Sequence, residues 1–245
     1  MLARADWIEP DWPAPPRVRA LVTTRRGGVS NGPYASLNLG TRVGDDAQAV
    51  RENRAHLRAA LPSEPKWLQQ VHGSDVVEAD GADAETCADA AFTRTPDVVC
   101  TVQIADCLPV LLCDRAGTSV AAAHAGWRGL SAGVLERAVA ALPGAPKDFI
   151  AWLGPAIGPR KFEVGGDVLA AFTSSDPEAA AAFEPLHEGK WLADLYALAR
   201  LRLGRAGVSN VFGGGFCTFA DPQRFFSHRR DRVTGRHAAC IWIAG

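Results

Sequence analysis

Three residues of this chain have side chains suited to metal binding and stand where extended apolar runs meet Gly, Asp or Pro. They are His72 in LQQVHGSDV, Cys107 in ADCLPVLLCD and His124 in AAAHAGWRG. Strand ends that meet at one place commonly form functional sites. Zinc favours nitrogen and sulfur donors, and a catalytic zinc site leaves a fourth position for water or substrate. If the three side chains converge, the pattern favours a zinc-dependent enzyme over a binding module.

Each of these residues, taken alone, also has a structural interpretation. A single His is often a hydrogen-bonded structural residue, and a Cys in an apolar run is often a small core residue. Successive members are separated by 35 and 17 positions, a spacing that is not diagnostic of a metal motif. Only their shared location beside turn residues supports treating the three together.

Two neighbouring residues extend the candidate site. Asp106, beside Cys107, could orient a ligand, act as an acid or base, or cap a turn, since Asp is common in turns. Gln70 lies two residues before His72 and therefore shares its strand face. Its amide could reach the same cavity or be solvated.

Two arginine pairs are candidates for binding an anion. Arg25 and Arg26 precede Gly27-Gly28, and guanidinium groups beside exposed backbone N–H groups suit phosphate. A tight solvated turn explains the same residues equally well. Arg229, followed by a second arginine in FFSHRRD, forms the other pair. There the neighbouring aspartate could neutralise one charge, which leaves a solvated ion pair as the alternative.

Composition narrows the class of protein. Apolar residues make up 47% and charged residues 22%, values typical of a globular protein, and the net charge of -1 gives no reason to expect nucleic acid or an anionic membrane as partner. The first residues lack the apolar region of a signal peptide, and no run of eighteen apolar residues occurs. The six cysteines form no CxxC pair and are expected to be reduced thiols. We therefore expect a cytoplasmic protein that is a monomer or a small homo-oligomer.

Hydrophobic periodicity predicts a mixture of strands and helices. Strands are predicted over 18–24, 98–104, 108–113, 118–125, 149–153, 208–212 and 238–243. Helices are predicted over 130–142, 192–203, 166–172 and 47–60, the last with Asp45 or Asp46 as its N-cap. The segment 78–91 is interpreted as a surface excursion, and 174–189 as a loop with a short helix possible. Without a steady βαβ rhythm, the order favours a single α+β domain over 1–245 with mixed β-sheets.

Several long motifs resemble one family, in the same order along nearly the whole chain. They are TTRRGGVSNGPYASLNLG, LQQVHGSDV, ADCLPVLLCD, HAGWRG, LGPAIGP with FEVGGDV, and FFSHRRDRVTGRHAACIWI. They resemble the YfiH-like, laccase-domain family, whose members have been called polyphenol oxidases and are now regarded as purine nucleoside phosphorylases.

The resemblance implies a fold, a metal site and a reaction. The fold would be mixed β-sheets flanked by helices, related to a cysteine hydrolase-like toxin domain. The ligands of zinc would be His72, Cys107 and His124. The substrates would be phosphate and a purine nucleoside (adenosine, inosine or methylthioadenosine), with adenosine deamination as a second activity. In that reaction Arg25, Arg26 or Arg229 could hold phosphate, and a further residue, Asn38, could contact ribose or base.

One departure from the family pattern and two other chemistries stay open. The family commonly has Tyr where this chain has His228, which leaves the role of that position undetermined. A conventional multicopper laccase needs many histidines, and this chain has six His and one Met, although copper could replace zinc in one site. A cysteine hydrolase acting on cell-wall precursors is the other alternative, with Cys107 as nucleophile and His124 as base. A non-catalytic zinc-stabilised or redox-sensing protein is the alternative outside enzymes.

Overall fold

The computed structural model describes residue 2 and residues 6–245, and its strands form two large sheets and one small one. The five-stranded sheet has the spatial order β1 (Trp7–Ile8), β2 (Val18–Thr23), β14 (His237–Ile243), β6 (Val99–Ile104) and β3 (Pro65–Lys66). The six-stranded sheet has the order β13 (Asn210–Gly213), β9 (Phe149–Leu153), β7 (Leu108–Asp114), β8 (Val120–Ala125), β5 (Ala90–Thr93) and β4 (Val76–Glu78). The small sheet consists of β10 (Glu163–Gly165), β12 (Lys190–Ala193) and β11 (Phe183–His187).

Both large sheets combine parallel and antiparallel neighbours. Strand β6 pairs antiparallel with β14 and parallel with β3, and β9 pairs antiparallel with β7 and parallel with β13. The predicted α+β class with mixed sheets is therefore confirmed. The predicted relation to cysteine hydrolase-like folds stays a prediction.

Six α-helices accompany the sheets in the residues that the structure describes. They are α1 (Ala47–Arg58), α2 (Trp127–Ser131), α3 (Val134–Ala141), α4 (Gly166–Thr173), α5 (Leu195–Arg205) and α6 (His228–Asp231). The Asp46 carboxylate accepts a hydrogen bond from the Ala49 N–H at 2.8 Å, which satisfies one of the unpaired donors at the start of α1. The helix predicted over 47–60 is thus confirmed, with its end at Arg58, and Asp46 is the N-cap of the two candidates.

Two predicted helices have different bounds in the structure. The single helix over 130–142 is wrong, because Gly133 has a φ of 91° and separates α2 from α3. The helix predicted from 192 begins only at Leu195. Leu192 lies in β12, and the Asp194 side chain accepts from the N–H groups of Tyr196 and Ala197 at the helix start.

Two predicted surface segments are more ordered than expected. Residues 174–189 contain a 3₁₀ helix (Pro177–Ala182), which confirms the short helix considered possible there, and β11, which the interpretation as a loop missed. Residues 78–91 begin at the surface but end in the buried run Ala88, Asp89 and Ala90. Because that run consists of two alanines and an aspartate, the sequence contains no strongly hydrophobic residue there that would predict its burial.

Apolar side chains arrange the fold in layers. One cluster, which includes Val102 and Leu111, lies between the two large sheets. A second cluster packs helices α3 and α5 against the outer face of the six-stranded sheet. A third joins Leu57 of α1 to Val99 and Cys240 on the outer face of the five-stranded sheet. The order is therefore helix, sheet, sheet, helices.

The chain crosses from one large sheet to the other between β6 and β7. Cys107 lies in this crossing, immediately before β7. His124 lies near the end of β8, opposite Pro109 of β7. The layer arrangement thus brings two of the predicted metal ligands to the same end of the paired sheets.

Two further observations concern the cysteines and the possibility of a membrane-spanning helix. All six cysteines are free thiols. Within the described part of the chain, no helix has both the length and the apolar character needed to cross a bilayer.

The buried imidazole of His237 makes the stability of this fold sensitive to acid. Burial, together with the nearby charge of Arg25, lowers the pKa of His237 to about 3. Its Nε2 accepts the Phe226 N–H at 2.8 Å. The unfolded chain, with a His pKa of about 6.5, therefore takes up the proton first as the pH falls. Above about pH 6.5 the titration of this histidine does not affect the unfolding free energy. Below that pH the unfolding free energy falls by about 1.4 kcal/mol per pH unit.

We accordingly expect the wild type to lose about 2 kcal/mol more unfolding free energy than His237→Gln between pH 7.5 and pH 5.0. Urea unfolding at both pH values measures the difference. At pH 7.5 the His237 ring of the wild type is neutral in both the folded and the unfolded state. The unfolding free energy of each protein at pH 7.5 is therefore the reference for its own value at pH 5.0. Identical pH dependence in the two proteins would contradict a neutral buried ring.

Candidate metal centre and cavity

The three predicted metal ligands converge in the structure. The ligand atoms of His72, Cys107 and His124 all lie within 4.8 Å of one another. The two imidazole rings have centroids 4.9 Å apart at an angle of 75°. In the part of the chain that the structure describes, this is the one group of His, Cys, Asp and Glu with such geometry. Residues 52 positions apart in sequence thus form one candidate centre.

A buried carboxylate that sequence analysis missed holds two of these ligands. Asp89 is fully buried, and its oxygens accept the backbone N–H groups of Val71, His72 and Gly73 at 3.1, 3.0 and 2.7 Å. The same carboxylate accepts the ring Nδ1 proton of His124 at 2.7 Å. His72 has a φ of 61°, an uncommon conformation for a non-glycine residue, and these bonds hold its backbone there.

The Asp89 contact also determines which nitrogen of His124 can bind a metal. Because Nδ1 donates to the carboxylate, Nε2 is the nitrogen left to bind a metal, once it has lost the proton that it carries in the imidazolium form. Burial would raise the pKa of Asp89, but the hydrogen bond and charge of His124 lower it, so the carboxylate stays ionised. The pairing is the carboxylate–histidine arrangement that orients imidazole ligands in metal sites.

Cys107 and His124 change each other's protonation in the metal-free protein. Burial would raise the pKa of Cys107, but the charge and hydrogen bond of His124, with a smaller effect of His72, lower it to about 6. Burial would lower the pKa of His124, yet Cys107 and Asp89 raise it. The metal-free centre is therefore a thiolate next to an imidazolium. A thiolate is the form of cysteine that binds metals.

Two glycines of the HAGWRG motif make room for the centre. A Cβ at Gly126 would lie 2.8 Å from Cys107 Sγ and 3.3 Å from His72 Cδ2. A Cβ at Gly129 would lie 2.5 Å from the backbone oxygen of Gly73. Both positions therefore require glycine for packing against the ligands and against the loop that carries His72.

We expect Gly126→Ala to weaken zinc binding by about ten- to hundredfold, the range found when residues around a metal site are changed. The added methyl group would displace the Cys107 sulfur from its position beside the imidazoles. Competition with a chelating dye measures the affinity. Gly204→Ala is the matched control, because its Cβ meets no atom within 4 Å. Equal zinc affinity in both variants would show that the centre tolerates the displacement.

The donor set fits zinc. Tetrahedral zinc, with Zn–N of about 2.0 Å and Zn–S of about 2.3 Å, places its ligand atoms about 3.3–3.6 Å apart. The ligand atoms here lie within 4.8 Å of one another, so binding would draw them closer together. Two nitrogens and one sulfur leave one position open, as in catalytic zinc sites. Copper(II) binds the same donors, so the set itself does not exclude it.

The centre opens into a cavity of about 370 Å³, within the usual size range of small-molecule sites. Its walls include the three candidate ligands, the apolar Trp67 and Leu68, the amide residues Gln69, Gln70 and Gln103, the basic residues Arg42, Arg54 and Arg236, and the exposed His228 at the start of α6.

Arg236 is the arginine that the charge of the centre affects most directly. Burial lowers its pKa, while the charges of Cys107 and Asp106 oppose that shift. One guanidinium nitrogen donates to the backbone oxygens of Thr234 and Gly235 at 3.1 and 3.0 Å. The remaining donors stand in a cavity beside the candidate metal ligands, where an anionic substrate would compensate their charge.

Arg54 forms a second positively charged part of the wall. Its guanidinium carbon lies 3.9 Å from the ring centroid of Trp67, and its Nε donates to the Leu39 oxygen at 3.0 Å. Burial lowers its pKa to about 10, so it still carries a full charge at neutral pH. Arg42 is exposed at the rim and donates to Gln69.

Gln70 lines the cavity and Asp106 precedes Cys107 in the chain, but each side chain is engaged with protein groups. The shared strand face predicted for Gln70 and His72 is wrong, because both lie in the loop between β3 and β4. The Asp106 carboxylate accepts the Thr218 hydroxyl at 2.6 Å and the Arg229 N–H at 2.7 Å. The Gln70 amide donates to the Gln103 oxygen at 2.9 Å and accepts its N–H at 2.7 Å. Asp106 therefore connects the turn at Cys107 to α6. Strand β3 ends at Lys66 and does not reach Gln103, so the Gln70 side chain bonds to the Gln103 backbone in place of a neighbouring strand.

Four other predicted binding residues do not line the cavity. Arg25 donates to the backbone oxygens of Ala35 and Pro222, and Arg26 to that of Gln223. The guanidinium of Arg229 donates to the Glu163 oxygen. Asn38 is fully buried, and its amide is occupied by Gly40, Asp45 and Arg236. Their role in substrate binding stays a prediction that these contacts do not favour.

Comparisons with known proteins give concordant results. The model of the family described as multi-copper polyphenol oxidoreductase laccase matches residues 19–244. A protein of Pseudomonas aeruginosa named purine nucleoside phosphorylase is 58% identical over 239 residues, which cover 97% of this chain and 98% of that protein. The Escherichia coli purine nucleoside phosphorylase YfiH is 56% identical over 239 residues, 96% of this chain and 98% of the relative.

Solved structures show the same fold. The crystal structure of a Neisseria meningitidis protein superimposes with a TM-score of 0.95 at 54% identity, covering 98% of this chain and 100% of the other. That of YlmD from Geobacillus stearothermophilus has a TM-score of 0.93 at 32% identity and covers 100% of this chain and 98% of its own. This chain therefore has the same layered mixed sheets as these two solved structures.

Proposed function

The chain belongs to the multi-copper polyphenol oxidoreductase laccase family, and on that basis we propose that it is a zinc-dependent purine nucleoside phosphorylase. The substrates proposed are adenosine, inosine and methylthioadenosine, with adenosine deamination as a side activity. The observation that carries the proposal is one cavity that joins a His72–Cys107–His124 centre to a partly buried arginine, Arg236. The named activity of relatives more than half identical to this chain supports it.

In the proposed reaction a phosphate oxygen bonds to C1′ of the nucleoside while the bond from C1′ to purine N9 breaks. The electron pair of that bond leaves with the purine, which takes up a proton, and ribose 1-phosphate (or its methylthio analogue) is the second product. The transition state carries positive charge on the sugar and negative charge on phosphate and base. Fixed charges that match this distribution lower the barrier.

Among the residues of this chain, Arg236 is best placed to hold phosphate. Its unengaged donors lie beside the centre, and Arg42 at the rim could close over the anion. Bidentate guanidinium bonds would orient the attacking oxygen. Asp106 holds the Cys107 turn through Thr218 and Arg229, so we assign it a positioning role.

The metal ligands have complementary tasks. Asp89 keeps the Nδ1 proton on His124 and fixes the backbone of His72, and Cys107 supplies the thiolate. Zinc, when bound, would supply Lewis-acid polarisation in both the phosphorolysis and the deamination. The free state of all six thiols is compatible with a reducing cytoplasm, which we propose as the location.

The direct test measures base release from adenosine and inosine with and without phosphate, on protein of known zinc content. Phosphate-dependent release of adenine and hypoxanthine is the expected result, and ammonia release from adenosine reports the deaminase activity. Oxidation of a phenol by copper-loaded protein, without any base release, would instead favour the polyphenol oxidase named by the family description.

Arg236→Gln is expected to raise the KM for phosphate at least about tenfold, because one charge-assisted bond contributes about 1.5–3 kcal/mol. The zinc content should not change, since Arg236 is not a ligand. Arg26→Gln is the matched control: it removes an exposed guanidinium outside the cavity. A phosphate KM raised by the Arg26 change and not by the Arg236 change would return the phosphate site to the Arg25-Arg26 pair.

A second candidate function rests on the thiolate itself. A Cys107 pKa of about 6 beside an imidazole is also the arrangement of a cysteine nucleophile with its base. A hydrolase acting on cell-wall precursors would use these two residues without a metal. Reactivity of Cys107 in the presence and absence of zinc separates the two functions.

A further inference from the structure

The cavity wall contains an amide side chain whose hydrogen-bonding groups are all unused. Gln103 lines the cavity, yet its side-chain amide makes no hydrogen bond to any residue that the structure describes. Gln70, by contrast, has its amide oxygen and nitrogen occupied by the Gln103 main chain. A free donor and acceptor in a partly buried cavity are suited to a polar ligand.

The surroundings of Gln103 hold it in place. Its N–H and C=O are bonded to the Gln70 amide, at 2.7 and 2.9 Å, and on the other side β6 pairs with β14 at Ala238. The backbone of Gln103 is therefore fixed on both edges. Because side chains stand roughly perpendicular to a sheet, a fixed backbone restricts the positions that the Gln103 amide can reach.

The position of Gln103 relative to the metal centre is set by the chain. Gln103, Ala105 and Cys107 are alternate residues, and all three line the cavity. Gln103 and Cys107 are four Cα–Cα steps apart in the chain, so their Cα atoms lie at most about 14 Å from each other. Trp67 and Leu68 line the same cavity but are buried, and the Arg54 guanidinium stacks on the Trp67 ring at 3.9 Å, so the flat surface there is the guanidinium on the indole. A flat heteroaromatic ring could lie on that surface with its polar edge toward Gln103.

The chemistry of an amide matches one edge of a purine. Asn and Gln form two hydrogen bonds with adenine, accepting from the 6-amino group and donating to a ring nitrogen. A rotated amide donates to a 6-oxo group and accepts from the adjacent ring N–H. One side chain can therefore recognise both adenine and hypoxanthine.

We propose that Gln103 recognises the 6-position edge of the purine base and that Gln70 acts as the residue that positions it. This inference rests on the proposed function, since it takes a purine nucleoside as the ligand. Gln103 thereby acts in selecting the base, apart from the phosphate and metal subsites.

Equilibrium binding tests the assignment without depending on turnover. Calorimetry in phosphate-free buffer would compare adenosine with purine riboside, which lacks the 6-amino group, on metal-free wild type, Gln103→Leu and Gln48→Leu, so that neither phosphorolysis nor deamination consumes the ligand. We expect the wild type to bind adenosine about ten- to hundredfold more tightly than purine riboside. In Gln103→Leu the two affinities should become nearly equal, while Gln48→Leu, an exposed change on α1, should retain the wild-type ratio.

The collapse of the ratio is a readout that general damage to the site would not produce, because such damage would weaken both ligands together. An unchanged ratio in Gln103→Leu would overturn the assignment, and so would failure of adenosine to bind the wild type. The phosphate-dependent release assay reports separately on the proposed function. Adenosine binding with the expected ratio but without phosphorolysis would leave Gln103 as a base-binding residue and reject the phosphorylase.

Discussion

Asp89→Asn is expected to reduce zinc affinity by about a hundredfold, the upper part of the range for residues that support metal ligands. One carboxylate accepts four hydrogen bonds here, three from the backbone of residues 71–73 and one from His124. An asparagine amide replaces one acceptor by a donor, which would face an N–H group. The His72 backbone and the His124 ring would both lose their fixed orientation. We also expect a loss of about 3 kcal/mol of unfolding free energy, because a buried donor is left unpaired.

Asp75→Asn is the matched control for this prediction. Asp75 is exposed, and its ion pair with Arg137, at 3.0 Å, is of the surface type that contributes little to stability. Dye competition would measure the zinc affinity and urea unfolding the stability of both variants. Normal zinc affinity in Asp89→Asn, at any stability, would mean that the ligands are oriented without the carboxylate.

The sequence indicates His72, Cys107 and His124 as candidates because apolar runs meet turn residues there, but it leaves their convergence open. In the structure Cys107 precedes β7 and His124 lies near the end of β8, whereas His72 lies in the loop between β3 and β4. Those local signals depend on neighbours in sequence, and the crossing of the chain between the two sheets brought them together. Asp89 has no such signal. It lies in an alanine-rich run, and its function depends on partners 16 to 35 positions away. The one available indication was an acidic residue among small apolar residues at a strand start.

The proposed phosphate-binding residue, Arg236, could not be identified from the sequence for a related reason. An arginine pair such as Arg25-Arg26 is a recognisable motif for anion binding. Guanidinium groups also donate to backbone oxygens, however, and both of these arginines do so in the structure. Arg236 stands alone in a GRH stretch and faces the cavity only because β14 begins there. Whether an arginine is available to a ligand depends on tertiary partners that no local pattern records.

The break between α2 and α3 illustrates the same limit at the level of secondary structure. Leu130, Val134 and Ala138 have helical spacing on both sides of Gly133, so periodicity alone predicts one continuous helix. The left-handed conformation of Gly133 permits a change of direction while all three residues remain in one core cluster. Apolar spacing reports which face is buried and not whether the helix is continuous.

The family description and the donor set of this chain point to different metal chemistry. A multicopper oxidase needs several copper sites, whereas the described residues form one group of two imidazoles and one thiolate. That group could hold one metal ion, and its two nitrogens and one sulfur are donors that zinc favours. Phosphorolysis at one such centre is consistent with the names of the relatives, which are phosphorylases.

Cys107→Ser is expected to abolish metal binding and phosphorolysis together, with zinc affinity lowered at least about a hundredfold. Serine's hydroxyl does not ionise near neutral pH, so the variant lacks the thiolate that binds the metal. Cys87→Ser, at an exposed position, is the control and should keep both properties. Zinc content measured beside base release gives the answer. Full zinc content with loss of activity would show that Cys107 is a nucleophile and not a ligand.

Alkylation by iodoacetamide distinguishes these two roles in the unmodified protein. With a pKa of about 6, Cys107 is mostly thiolate at pH 7 in the absence of metal, and it should react far faster than an ordinary thiol. Bound zinc should slow the reaction at least about tenfold, since the metal shares the reacting electron pair. Equal alkylation rates with and without zinc, accompanied by hydrolytic activity after chelation, would identify a cysteine hydrolase that uses His124 as its base.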